Sequence, residues 1–170
     1  INPGRFGAGV TGVPFTGPKM LREECGIEHD FTGRPELSAD FIYRWINEMG
    51  GPDAFYQDFY ITSACPLGFT KDGRHYNYYD DKKLEKAVRP RIIENFDTQL
   101  NFGSRREFLL CLGEGKNYKF LKTLNEERGW FGEVIPLSHP RYVMQYKRKS
   151  LDVYLADYVA KSERALSSIA

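Results

Sequence analysis

The chain has 170 residues, 41% of them hydrophobic, and a formal net charge of +1. That length supports a buried core and fits one domain over residues 1–170, and no apolar run approaches the roughly 20 residues of a membrane span. Cys25, Cys65 and Cys111 form no CxxC pair, which speaks against a disulfide framework, a zinc site or an iron–sulfur site; the near-zero charge neither demands nor forbids a nucleic-acid partner.

In chain order, the first fifteen residues carry four glycines and two prolines, with Asn2 and Phe15 near the two ends. Such a segment allows sharp turns and close backbone approach, and its amide and flat ring suit a pocket for a planar, polar molecule. The chain starts inside this motif without a Met, so the expectation is an N-terminally truncated fragment whose first strand ends at or just before Ile1. Gly7, Gly9 and Gly12 match the dinucleotide-binding spacing, but Val13-Pro14-Phe15 follows where a helix is required, so a plain glycine-rich loop is the better reading.

Ser38 can cap a helix showing Phe41, Ile42, Trp45 and Met49, stopped by Gly50-Gly51-Pro52. Residues 59–64, 107–112 and 133–137 read as buried parallel strands. Leu84, Ala87, Val88, Ile92, Phe96 and Leu100 form a long helical stripe, kinked or restarted at Pro90. Tyr118, Leu121 and Leu124 mark a helix ending at Gly129, and Leu151, Tyr154, Leu155, Tyr158 and Val159 mark the last one. Strands alternating with helices imply an α/β sheet covered on both faces, with the ligand beyond the carboxyl ends of the strands. Those ends are residues 1–4, 63–66, 113–115 and 138–141.

Chemistry is therefore expected at Ser138-His139-Pro140-Arg141, which opens a basic, aromatic loop containing Tyr142, Met144, Tyr146, Lys147 and Arg148. A lone His at a strand end is usually structural, but here it should converge with the Asn2 loop. His29 and His75 read as surface residues, the tyrosine-rich stretch 75–79 as packing rather than a DNA-touching surface, and the cysteines as buried reduced thiols.

Asn2-Pro3-Gly4-x-Phe6-Gly7, Thr11-Gly12-Val13-Pro14-Phe15, Cys65-Pro66-Leu67 and His139-Pro140, in this order, resemble the uracil-DNA glycosylase superfamily, nearest its single-strand-selective monofunctional (SMUG-type) branch and a bacterial subgroup of it. The resemblance implies a three-layer α/β/α sandwich around a four-stranded parallel sheet. It implies that Asn2 positions the attacking water and His139 stabilises the departing base. Gly4 and Phe6, with Ile1 beside them, would border the base pocket, and Phe15 would stack on the base. Arg141 and Tyr142 would belong to a wedge loop, short here at residues 140–145, and Lys147 and Arg148 would contact phosphates or be solvated. An Asn of the SMUG-type pattern is replaced by Ser63, and one adjustable hydroxyl in place of a paired donor and acceptor leaves room for other deaminated bases.

The implied protein is a cytoplasmic, monomeric hydrolase acting on single- or double-stranded DNA, without metal, cofactor or membrane contact, and leaving an abasic site. Two other classes stay open at this level: a nucleotide-binding module using the glycine loop, and a damage binder that flips bases without turnover.

Overall fold

The computed structural model describes Pro3 and residues 7–167. The glycine-rich opening contains a one-turn helix, α1 (Ala8–Thr11), followed by α2 (Pro18–Glu23), α3 (Leu37–Glu48) and α4 (Gly51–Asp58). A hairpin of β1 (Phe69–Lys71) and β2 (Arg74–Tyr76) leads through a 3-10 turn at Tyr78–Asp80 into α5 (Lys82–Leu100). Then come β3 (Phe108–Leu112), α6 (Lys116–Arg128), β4 (Glu133–Leu137), α7 (Pro140–Tyr146), a 3-10 turn at Arg148–Ser150, and α8 (Leu151–Ser167).

The parallel pair β3–β4 organises the layers, with Leu110 opposite Ile135 and Leu112 opposite Leu137. Successive strand side chains point to opposite faces. Leu109 and Cys111 accordingly join a core with Val88, Ile92 and Phe96 of α5 and Phe120, Leu121 and Leu124 of α6. Leu110 and Leu112 join the other core, built from Phe41, Trp45 and Ile46 of α3, Val143 and Met144 of α7, and Tyr158 of α8. Apolar strands flanked by helical stripes have no lower-energy arrangement than helices on both faces. Trp45 Nε1 donates to Ser162 Oγ at 3.1 Å, which gives the one polar atom of that buried ring a partner.

Several expectations change. Residues 59–64 form no ladder, although Phe59 is extended. A strand exists through its partner's hydrogen bonds, and a cavity of about 1160 Å³ is bordered by Ile61–Ala64 on the one hand and Phe108–Leu112 on the other. Among the described residues the parallel sheet thus has two strands rather than four. The strand expected to end at or before Ile1 lies outside the described residues.

Ser38 is not the cap of α3. Glu36 occupies that position, and the Ser38 hydroxyl spends its proton on Glu36 Oε1 at 2.9 Å. Gly50-Gly51-Pro52 ends α3 as expected but also starts α4, since Pro is well suited to a first helical turn. Helix α5 runs through Pro90 as one element rather than restarting, anchored by Val88, Ile92, Phe96 and Leu100 in the core. Its start is fixed by Asp81, whose carboxylate accepts from the Lys83 and Leu84 amides at 2.8 and 3.2 Å. The expected loop 140–145 is helical, because Pro140 at the first position has a backbone preset for α7.

Candidate active site

His139 ends the β4 connection and serves as the N-cap of α7. Its Nδ1 accepts the Arg141 backbone N–H at 3.1 Å, so in the neutral ring the proton sits on Nε2. Burial, with the Arg141 guanidinium adding to it, pushes its pKa down from 6.5 to about 4. At neutral pH the side chain is an uncharged, oriented N–H donor. It lines the large cavity together with Phe15, Ser63 and Arg141.

Two neighbours that the sequence did not assign to the site hold this loop. The buried Ser138 donates from Oγ to Glu114 Oε2 at 2.9 Å, tying the β4 end to the turn after β3. The Tyr158 phenol, kept protonated by burial, donates to the Ser138 carbonyl from the far side. The available signal for Glu114 was its place in 113–115 at a strand end; Tyr158 was legible only as part of the apolar stripe of the last helix, and α8 delivers it from 20 residues away. The turn itself needs glycine. Gly113 has φ 137°, and a Cβ there would stand 3.8 Å from both His139 Cδ2 and Asn117 Cβ. Asn117, buried on α6, accepts from the Tyr78 phenol at 2.9 Å and donates to Cys111 Sγ at 3.4 Å. Burial pushes the Cys111 thiol up to about 11, so it is an inert packing group rather than a nucleophile.

Phe15 sits half-buried with φ 56°, an unusual conformation for a ring-bearing residue. The loop around it is locked. Thr11 Oγ1 donates to the Thr16 carbonyl at 2.5 Å and accepts from the Val13 amide at 3.1 Å. Thr16 Oγ1 hydrogen-bonds the Tyr43 phenol at 3.0 Å, fastening the loop to α3. Gly7 lets Glu36 approach closely: a Cβ there would lie 2.0 Å from Glu36 Oε2, and the glutamate side chain would have to swing aside. Gly12 ends α1 instead of lying within a helix, which removes the dinucleotide-cradle reading.

Ser63 is half-buried at the cavity, with its carbonyl accepting from Asn95 Nδ2 at 3.1 Å. Its hydroxyl has no partner among the described residues and is available to a ligand. Arg141 is exposed at the cavity, on the first turn of α7. Tyr142 and Tyr146 lie on the outer face of that helix, ring centroids 5.8 Å apart, with Lys147 Nζ 6.0 Å from the Tyr142 centroid. Arg148 follows in the exposed turn before α8. None of Tyr142, Lys147 and Arg148 lines the cavity, so they form a separate outer surface. Ile1, Asn2, Gly4 and Phe6 lie outside the described residues; Pro3, between them, lines the cavity.

The remaining histidines and thiols divide. His29 is half-buried rather than a surface residue, with Nε2 2.7 Å from the Pro18 carbonyl and Nδ1 accepting from the Phe31 amide at 3.1 Å. His75 is exposed but borders the cavity. Tyr78 and Tyr79 pack on the core as expected. Cys65 and Cys111 are buried and free; Cys25 is free but only half-buried, near the Tyr43 phenol. Among the described residues no group of His, Cys, Asp and Glu is arranged to hold a metal. No described helix is long and apolar enough to cross a membrane.

Comparison with known proteins gives this geometry a context. The description "Uracil DNA glycosylase superfamily" matches residues 1–162. The crystal structure of wild-type SMUG2 from Pedobacter heparinus is 47% identical, covering 99% of this chain and 74% of that one, with a TM-score of 0.92. No curated protein matches the chain. A match over nearly the whole length, joined to a close structural neighbour, assigns the chain: it belongs to the uracil-DNA glycosylase superfamily, in its SMUG-type branch, and is a DNA-repair glycosylase, a hydrolase of N-glycosyl bonds.

Proposed function

We propose that the enzyme acts as a monomer on uracil and other deaminated bases in single- and double-stranded DNA, hydrolysing the N-glycosidic bond and leaving an abasic site. The observation that carries this reading is His139, neutral and with Nε2–H as its donor, at a cavity that also presents an aromatic ring and a hydroxyl with no partner among the described residues. The part of the cavity near His139, Phe15 and Ser63 is the base pocket. The part between residues 59–64 and β3 is where a further parallel strand would complete the sheet, which is why the volume exceeds what one base needs.

A stacked base is out of reach, so the nucleotide is extruded at about a few kcal/mol, least where it is mispaired or single-stranded. Stacking on Phe15 returns about 1–3 kcal/mol. The Ser63 hydroxyl, which can donate or accept, meets the polar edge of the base. As the glycosidic bond breaks, its electrons move onto the base and the sugar becomes electron-poor. The His139 Nε2–H is aimed at the developing negative charge, an interaction stronger in the transition state than in the ground state. An electron-poor sugar needs a placed water more than a strong base, and Asn2 holds that water in this reading. The monofunctional course is supported by a cavity lining without lysine among the described residues, so no amine stands ready to form a Schiff base.

The test is a panel of end-labelled oligonucleotides carrying uracil, hypoxanthine or xanthine, single-stranded and paired, followed by alkaline strand scission in excess chelator. Uracil release with scission only after alkali is expected. Scission without alkali, or activity that requires added metal, overturns the mechanism.

A further inference from the structure

The hairpin β1–β2 takes no part in the site described above, yet it borders it. At its root the Gly68 backbone approaches the Pro3 carbonyl of the opening motif, with a Cβ position 3.8 Å away. Just beyond β2, Asn77 lines the same cavity as His139 and Arg141, and so does His75 within it. Phe69 fastens the hairpin to the core, while Thr70, Lys71, Asp72, Gly73, Arg74 and His75 are all exposed.

The tip is arranged against its own stability. Lys71 and Arg74 are register partners, so two cations stand directly opposite each other across the last rung. Like charges in that position are destabilising. Neither forms an ion pair among the described residues. Lys71 Nζ lies 5.3 Å from the Tyr76 ring centroid, and Lys71 also helps hold the Asp81 carboxyl below its ordinary range, behind the Leu84 and Lys83 amides. Asp72 sits in the turn itself. By the strand alternation Thr70 and His75 share one face and Lys71 and Arg74 the other, so the cations project at the tip instead of into the cavity. A repulsive pair at the exposed tip of a hairpin is relieved by an anion brought from outside.

We infer that this hairpin is a second DNA-contacting arm, with Lys71 and Arg74 engaging backbone phosphates of the strand that carries the extruded nucleotide. The assignment rests on the cavity being the base pocket. It gives the strand two supports at the pocket mouth: Arg141 on α7, and the hairpin at the Pro3 side.

The experiment measures affinity of the full chain for a fluorescent single-stranded oligonucleotide across a salt series. The wild type, Lys71→Ala/Arg74→Ala, Arg74→Glu and Lys122→Ala (an exposed lysine on α6 outside the cavity) are compared. Each phosphate contact on a single strand contributes about 0.7 to the salt slope, so the double variant should lose about 1.4, with Lys122→Ala unchanged. Saturating single-turnover base release should stay at the wild-type rate. Arg74→Glu creates an opposite-charge rung, so its Tm should hold or rise while affinity falls. A wild-type slope in the double variant, an equal loss for Lys122→Ala, or wild-type affinity in Arg74→Glu overturns the arm. Normal DNA binding without base release defeats the proposed reaction, and the salt slopes still decide the arm.

Discussion

His139→Asn separates the charge of the ring from its role as a cap. Asn keeps an acceptor for the Arg141 amide, because it is among the best N-cap side chains, but it cannot titrate. In the folded chain His139 titrates at about 4 against an ordinary 6.5. The folded value is the lower one, so between these limits the unfolded chain binds a proton that the native chain does not. Stability therefore rises with pH through the window and is lost as pH falls from 6.5 towards 4. Each pH unit inside it costs about 1.4 kcal/mol, which sets a ceiling of about 3 kcal/mol for this ring. Urea denaturation of wild type and variant at about pH 7.5, 6 and 5 should show the wild type losing more on acidification, with the two nearly equal at the highest pH. At neutral pH, single-turnover base release in the variant should fall on the order of 10²–10³, since the shorter amide stops short of the place Nε2–H reaches. Parallel pH dependences, or a ring that titrates at 6.5 or above by NMR, would falsify the neutral-donor argument.

Arg141→Ala should slow excision from duplex DNA much more than from a single strand, where no partner base must be displaced; equal losses on both would remove the wedge role. For Ser63→Asn, a paired amide facing the base should move preference towards uracil over purine lesions, read as a ratio of single-turnover rates in a folded variant, and an unchanged ratio would mean that position 63 does not read the base. Tyr158→Phe leaves the Ser138 carbonyl without its buried donor and should cost about 1–3 kcal/mol by denaturation, whereas a loss below about 0.5 kcal/mol would mean the phenol does not brace the loop.

What the sequence determined by itself is what short-range physics writes into neighbouring residues. The 3.6-residue stripes of α5, α6 and α8 mark helices whose ends lie close to the expected positions, because burial of one face and a stop such as Gly129 are local facts. Residues 133–137 are β4 as expected, and His139 just past its carboxyl end borders the cavity, which also runs along the whole of β3. The ordered motifs around Pro3, Phe15, Cys65 and His139 were enough to find the family.

Tertiary structure decided the rest, and in each case through a partner far along the chain. Residues 59–64 have a strand's composition but no ladder, because a strand is a relation between two segments. The segment expected as a short loop is α7, begun at Pro140 and capped by His139 Nδ1 on the Arg141 amide, which also leaves the neutral ring's proton on Nε2. The ring's low pKa comes from burial, which no single sequence position records. Glu114 and Tyr158 brace Ser138 from 24 and 20 residues away. The opposed cations of the hairpin become a repulsive pair only once the register sets Lys71 against Arg74.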